Sequence, residues 1–210
     1  MNRNIRLVIF DLDGTLTHVE SLWRYLHEAF GTWKLGRIAA HRYRRGEISY
    51  KEWAETDARC WAGIPLSQVS TVLERIPYRR GVRDVFEALK ERGLKTAILS
   101  AGLSMLADRA AQELGADLAL SNELQTNDGR LTGEIKVKVE VSEKKRVVAQ
   151  IAAQFGIPLN QVALVGDHAN DLAEPQCLKI AFMPKDNIAR QEADLIIEED
   201  DLSNLLQYIL

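Results

Sequence analysis

Apolar residues follow two rhythms along the chain. Short unbroken runs, Leu7-Val8-Ile9-Phe10, Leu94 to Leu99 and Val162 to Val165, predict strands buried on both faces. Between them, spacings of three and four mark one-sided helices. Val82, Val85, Phe86 and Leu89 share one helical face that ends at Gly93, where a left-handed cap is expected. Val147, Val148, Ile151, Ala152 and Phe155 share another, which ends at Gly156. Helix, glycine and buried strand recur, so the chain reads as βαβ units in an open parallel sheet. Lys179 to Met183 and Leu195 to Ile197 add two short strands, and Leu202, Leu205, Leu206 and Ile209 predict a closing amphipathic helix.

Two segments break the rhythm. From Thr17 to Tyr78 the pattern is helical without a strand, and the segment holds Trp23, Trp33, Trp53 and Trp61. An insertion between the first strand and the next βαβ unit is expected to rise over the strand ends like a lid, with hinges near Thr17 to Val19 and Pro77 to Gly81. From Asp117 to Val141, the turn signal Asn127-Asp128-Gly129 precedes alternating Ile135, Val137, Val139 and Val141, which predicts a β-hairpin. The fold class is thus α/β: a Rossmann-like open parallel sheet core (1–16 and 79–210) with helices on both faces, a small helical cap (17–78) and a hairpin.

Composition changes this picture little. Over 210 residues, 46% hydrophobic and 27% charged residues suit a globular core, and a net charge of −3 gives no general attraction to nucleic acid or an anionic membrane. No apolar stretch approaches the roughly 20 residues of a membrane span, and the first strand stands too near Met1 for a signal peptide. Cys60 and Cys177 lie far apart without metal-ligand spacing. A cytoplasmic monomer or homodimer is expected.

The chemistry sits where the runs end. Asp11 and Asp13 follow the first strand, Ser100 the second, and Gly166-Asp167-His168-Ala169-Asn170-Asp171 the strand at 162–165. Parallel sheets place ligands outside the carboxyl ends of their strands, so three segments converge on one site. Carboxylates gathered there require a cation, and hard oxygen donors suit magnesium. An EF-hand is excluded, because neither its further ligands nor its preceding helix is present. Asp11 is the expected nucleophile on phosphorus, and Asp13, on the same side of an extended chain, the expected acid and base. Asp13 then needs a pKa well above the reference of about 3.9. Asp167 would complete the magnesium shell, with Asp171 as a second carboxylate, while Ser100 and either Lys144 or Lys145 would serve the phosphoryl oxygens.

Asp11-Leu12-Asp13-Gly14-Thr15, Ser100, Lys144 and Gly166-Asp167-x-x-Asn170-Asp171, in that order, resemble the four motifs of the haloacid dehalogenase superfamily of phosphotransferases. The insertion resembles that family's first cap type. The hairpin from Asn122-x-Leu124 to Asp128-Gly129-x-Leu131-Thr132-Gly133 is similar to that of the phosphoserine-phosphatase-like branch. The resemblance selects Lys144 over Lys145. It also implies a metal set of Asp11, Asp13 through its backbone carbonyl, Asp167 and Asp171, and substrate contacts from Glu20, Gly102 and Asn170.

Asp57 stands where that branch carries an arginine that clamps the substrate carboxylate, so a carboxylate would face a carboxylate unless Arg59 or another arginine substitutes. His168 is expected to fill space. The tryptophans and Tyr25, Tyr43 and Tyr50 are expected to be core more than substrate contacts, and His41-Arg42-Tyr43-Arg44-Arg45 a solvated helix face. The expected activity is magnesium-dependent hydrolysis of a small phosphorylated metabolite, rather than phosphoryl transfer to another one. Phosphoserine phosphatase proper is the runner-up, and a non-catalytic scaffold on the same fold is the rival from another class.

Overall fold

The computed structural model describes residues 4–210. Seven strands form one sheet in the order β4-β3-β2-β1-β5-β6-β7. These are β1 (Leu7–Phe10), β2 (Lys95–Leu103), β3 (Leu118–Asn127), β4 (Arg130–Lys136), β5 (Val162–Gly166), β6 (Leu178–Phe182) and β7 (Leu195–Ile197). All neighbours are parallel except the hairpin pair β3 and β4. β1 lies at the centre, with Phe10 in register with Ile98 of β2 and Val165 of β5. Chain order runs outward from β1 in both directions, which opens the crevice of an α/β sheet at the carboxyl ends of β1 and β5.

The period of two in a strand explains why β1 is apolar throughout. Val8 and Phe10 join one core, with Val85, Phe86 and Leu89 of α5 (Val82–Glu91) and Leu106 of α6 (Ser104–Leu114). Leu7 and Ile9 join the other, with Val147, Val148 and Ile151 of α7 (Lys144–Gln154). The rings of Phe10 and Phe86 pack with centroids 4.8 Å apart. Truncating either would cost about 3–5 kcal/mol.

Between β1 and β2 the chain forms α1 (Leu22–Ala29), α2 (Trp33–Arg44), α3 (Tyr50–Arg59) and α4 (Leu66–Glu74). Ser49 opens α3 with a capping box to Glu52. The two crossings of this insertion are tied together: Thr17 bridges Tyr78, and the buried Arg79 donates from Nε to the carbonyls of Gly14 (3.0 Å) and Thr17 (3.2 Å). The hairpin grips the far end of the insertion. Gly63 N donates to Leu131 O at 2.8 Å, and a side chain at Gly133 would put its Cβ 2.9 Å from that of Ala62.

Local departures from the expected elements have physical causes. The hairpin's second strand stops at Lys136, because the Asn122 side chain takes the amides of Lys138 (2.8 Å) and Val139 (2.9 Å) that would continue the ladder. Ser100 lies within β2 rather than beyond it, in a stretch where the register with β3 shifts between Leu99 and Leu103. The closing helix is a 3-10 turn (Leu202–Leu205) followed by one α-helical turn, α8 being Asn187–Glu192 and α9 Leu206–Ile209. Among the described residues, no helix is long and apolar enough to cross a membrane.

Candidate active site

Asp11, Asp13, Ser100, Lys144, Asp167, Asp171, Glu20, Gly102 and Asn170 all line one cavity of about 290 Å³ at the carboxyl ends of β1, β2 and β5. A larger cavity, of about 460 Å³ beneath Tyr78 and Arg109, contains none of the site's carboxylates.

Backbone geometry brings these groups close. Gly14 has a left-handed φ of +82°, and a Cβ there would lie 2.3 Å from Asp167 Oδ2. A Cβ on Gly166 would lie 2.2 Å from that of Asp171. Gly102 lets its amide donate to Ser100 Oγ at 2.8 Å. The approach of the strand ends therefore depends on residues without side chains.

Lys144, the first residue of α7, donates from Nζ to Asp11 Oδ1 and Asp171 Oδ1, each at 2.6 Å. Lys145 is exposed. Burial pushes the Asp11 carboxyl well above its ordinary pKa, and Asp171 and Asp167 add to this against the pull of Lys144. Burial alone would lower the Lys144 pKa, but Asp11 and Asp171 together raise it and keep the ammonium charged. Asp13 accepts from Leu22 N at 2.7 Å, and burial pushes it up to about 6 even so. Two buried oxygens, Asp13 Oδ1 and Asp167 Oδ2, have no hydrogen-bond partner. Such oxygens are costly unless something positive meets them. Asp167, His168 and Asp171 also bring donor atoms within 4.8 Å of one another, as a metal site would. Hard carboxylate donors with orphaned lone pairs fit magnesium.

Other residues make contacts that the sequence does not specify. His168 is not mere filling: its Nδ1 lies 2.9 Å from Asp167 Oδ1, and that hydrogen bond pushes its pKa up to about 9. Asn170 donates to Asp171 Oδ1 at 2.9 Å. Glu20 is paired with Lys185 at 2.8 Å, which holds its carboxyl low. Asp57 does not face the cavity at all. It is 1% exposed, with Oδ1 3.2 Å from the equally buried His27 Nε2. Arg59 pairs with Glu55 at 3.4 Å and does not replace it at the cavity. Trp61 is wholly buried, as expected of core, but Trp23 and Trp53 line the cavity. Of the basic run, Tyr43 turns inward and stacks on Trp53, while Arg42 and Arg45 pair with Glu47 at the surface.

Sequence reasoning missed the junction of the insertion with β2. The Ala101 carbonyl accepts from Trp23 Nε1 (3.2 Å), from Asn122 Nδ2 (3.0 Å) and from the Tyr50 hydroxyl. A backbone carbonyl leaves no mark in a sequence.

The chain is similar to known proteins over nearly its whole length. A phosphoserine phosphatase of Archaeoglobus fulgidus is 38% identical over 207 residues, 97% of this chain, although the chain spans only 60% of that protein. A phosphoserine phosphatase of Methanocaldococcus jannaschii is 30% identical over 212 residues, covering both chains completely. Among solved structures, a phospho-aspartyl intermediate analogue of phosphoserine phosphatase superposes with a TM-score of 0.82 at 30% identity, covering 99% of this chain and 100% of that one. A substrate-bound phosphoserine phosphatase complex reaches 0.83 at 28% identity, covering 98% and 99%. A profile of haloacid dehalogenase-like hydrolases matches residues 8–173, from β1 past the second acidic cluster, and the chain belongs to that family.

Proposed function

We propose that the chain is a phosphomonoester hydrolase that works through a phosphoryl group carried on Asp11. The observation that supports this best is the buried pairing of Asp11 with Lys144 at 2.6 Å, with Asp13 two residues on and already pushed up to about 6. Asp11 attacks phosphorus, and the bond to the leaving oxygen breaks. Asp13 gives that oxygen a proton, so an alcohol departs and an aspartyl phosphate remains. Asp13, now ionised, takes a proton from water as the water attacks phosphorus, which releases phosphate and restores Asp11. Lys144 and Ser100 stabilise the phosphoryl oxygens, and Lys144 pulls against the burial that raises the Asp11 carboxyl.

Asp11, Asp167, Asp171 and the Asp13 carbonyl would hold magnesium, which would offset the charge of the incoming phosphate and polarise its oxygens. The same reading treats residues 17–78 as a cap that opens for substrate between the tied crossings at Thr17 and Tyr78. A cytoplasmic monomer or homodimer acting on a small metabolite belongs to this proposal. A non-catalytic scaffold is disfavoured, since every group the chemistry needs is present in one cavity. The names of the relatives favour phosphoserine as a second reading.

Radiolabelled substrate, quenched in acid during a single turnover, should leave phosphate on the protein as a base-labile acyl phosphate. Asp11→Asn should carry none and should lose turnover while keeping its circular dichroism. Label retained on Asp11→Asn would disprove the assignment.

A further inference from the structure

The walls of the cavity bear on which phosphate ester it accepts, a question that rests on the phosphatase reading above. Apart from the catalytic groups, the lining is Trp23, Trp53, Tyr50 and Val141, with Ala101, Gly102 and Asn170 between them, Glu20 and Ser21 at its edge, and His168, whose Nδ1 is held by Asp167 Oδ1 at 2.9 Å. Lys144 is the one lysine among the described lining residues, and no arginine joins it. Its ammonium is already shared between Asp11 and Asp171 at 2.6 Å. Lys185, at the mouth, is held by Glu20 at 2.8 Å. A second anionic group on a substrate would thus enter beside Asp11, Asp13, Asp167, Asp171 and Glu20 with no guanidinium to meet it. Like charges brought together without a partner are strongly rejected.

The aromatic wall, in contrast, is built. The rings of Trp23 and Trp53 lie with centroids 5.0 Å apart. Tyr43 stacks behind Trp53 at 5.2 Å with planes 9° apart, and Tyr50 meets it edge-on at 5.3 Å. Trp23 and Tyr50 are fixed to the Ala101 carbonyl, next to Ser100. Asp57 is buried with His27, its Oδ1 3.2 Å from His27 Nε2, and does not line the cavity. The Asp57 carboxylate therefore does not reach the face that Trp23 and Trp53 turn to the cavity. At about 290 Å³, the cavity is at the lower end for small-molecule sites, which span about 300–1,000 Å³, so the alcohol it admits is small.

We propose that the substrate is a phosphate monoester of a small alcohol that carries no carboxylate, and that this alcohol lays an apolar or aromatic face against Trp23 and Trp53. Selectivity comes from two sources: the aromatic contact, and the engagement of every cationic side chain at the cavity, Lys144, His168 and Lys185, by a carboxylate of the protein, with no arginine beside them.

The test compares kcat/KM of the magnesium-loaded wild-type protein on O-phospho-L-serine, O-phosphoethanolamine and benzyl phosphate. The first two differ only by the carboxylate, and the third presents a ring on an alkyl ester. O-phosphoethanolamine and benzyl phosphate should each exceed phosphoserine by roughly tenfold or more. Trp53→Ala should raise KM for benzyl phosphate by roughly three- to tenfold, with a smaller change for O-phosphoethanolamine. Phosphoserine turned over as well as, or better than, O-phosphoethanolamine would overturn the proposal while leaving the phosphatase reading intact. So would an unchanged KM for benzyl phosphate in folded Trp53→Ala. If none of the three esters were hydrolysed and Asp11 took up no label, the phosphatase reading itself would fall, and this proposal with it.

Discussion

The Lys144 ammonium lies 2.6 Å from Asp11 Oδ1, in a place where neither side chain is more than 8% exposed. Asp171 holds the same ammonium at the same distance from its other side, so one buried cation serves two buried carboxylates. Removing one partner of such a group leaves uncompensated charge. Lys144→Ala is expected to lose about 3–5 kcal/mol of stability and on the order of a hundredfold in kcat. Lys144→Arg should not rescue it, because a planar fork cannot occupy the position of a compact ammonium between two oxygens. Urea unfolding together with kcat at saturating substrate checks both effects. Near-normal kcat in Lys144→Ala would mean that the lysine is only structural.

Asp13 gives a prediction in which function and stability oppose each other. Burial pushes its pKa up to about 6, so the folded protein binds this proton more tightly than the unfolded chain does. That contribution is fully present below the unfolded value of about 3.9 and is lost as pH rises through about 6. At pH 7.5 the ionised carboxylate is therefore a burden on the metal-free fold, on the order of 2–3 kcal/mol. Asp13→Asn should be more stable than wild type in chelator at pH 7.5, with the gap closing toward pH 4. Its kcat should fall more on an alkyl phosphate than on p-nitrophenyl phosphate, whose leaving group needs no proton. A stability gap independent of pH would sink this account.

Residues whose role comes from their place in a repeating pattern are legible in the sequence. The unbroken run of β1 can only be buried on both faces, and the residues just past such strands gather at their carboxyl ends, so Asp11, Asp13, Ser100 and Asp167 can be placed together without coordinates. Lys144 is separable from Lys145 only through the family resemblance, since burial of one and exposure of the other depend on the angle at which α7 docks. Asp57 is misplaced by sequence reasoning for a similar reason. Its position in the chain is that of a cavity residue, but the buried His27 offers a nearer partner, and the side chain turns to it. The Ala101 carbonyl and the bonds that meet there cannot be read at all, because they depend on main-chain geometry at the irregular part of β2.

Gly14 is the residue on which the metal-binding geometry depends most closely. A methyl there would stand 2.3 Å from Asp167 Oδ2, an oxygen with no other partner, on a backbone with φ of +82°. The left-handed conformation alone costs about 1–2 kcal/mol for a residue with a Cβ. Gly14→Ala should need at least about tenfold more magnesium for half-maximal activity. It should also lose most of the rise in melting temperature that saturating magnesium gives the wild type, since a ligand stabilises only the state that binds it. The same magnesium dependence in both proteins, by activity and by melting, would show that Asp167 Oδ2 does not face the ion.

Asn122 joins the insertion to the sheet and can be separated from Tyr50 by experiment. Its Oδ1 accepts from Lys138 N and Val139 N, and its Nδ2 donates to the Tyr50 hydroxyl, the Ala101 carbonyl and the Val139 carbonyl. Asn122→Ala strands two main-chain amides as well as the contact with the insertion, and should cost about 2–4 kcal/mol of stability. Tyr50→Phe removes only the hydroxyl that meets Ala101 and Asn122, and should cost about 1 kcal/mol. If closure over the cavity depends on this junction, both variants should raise KM and become easier to cleave by protease between 17 and 78, in spite of their different stabilities. A KM that follows global stability and is normal in Tyr50→Phe would show that the junction supports the fold without governing access to Asp11.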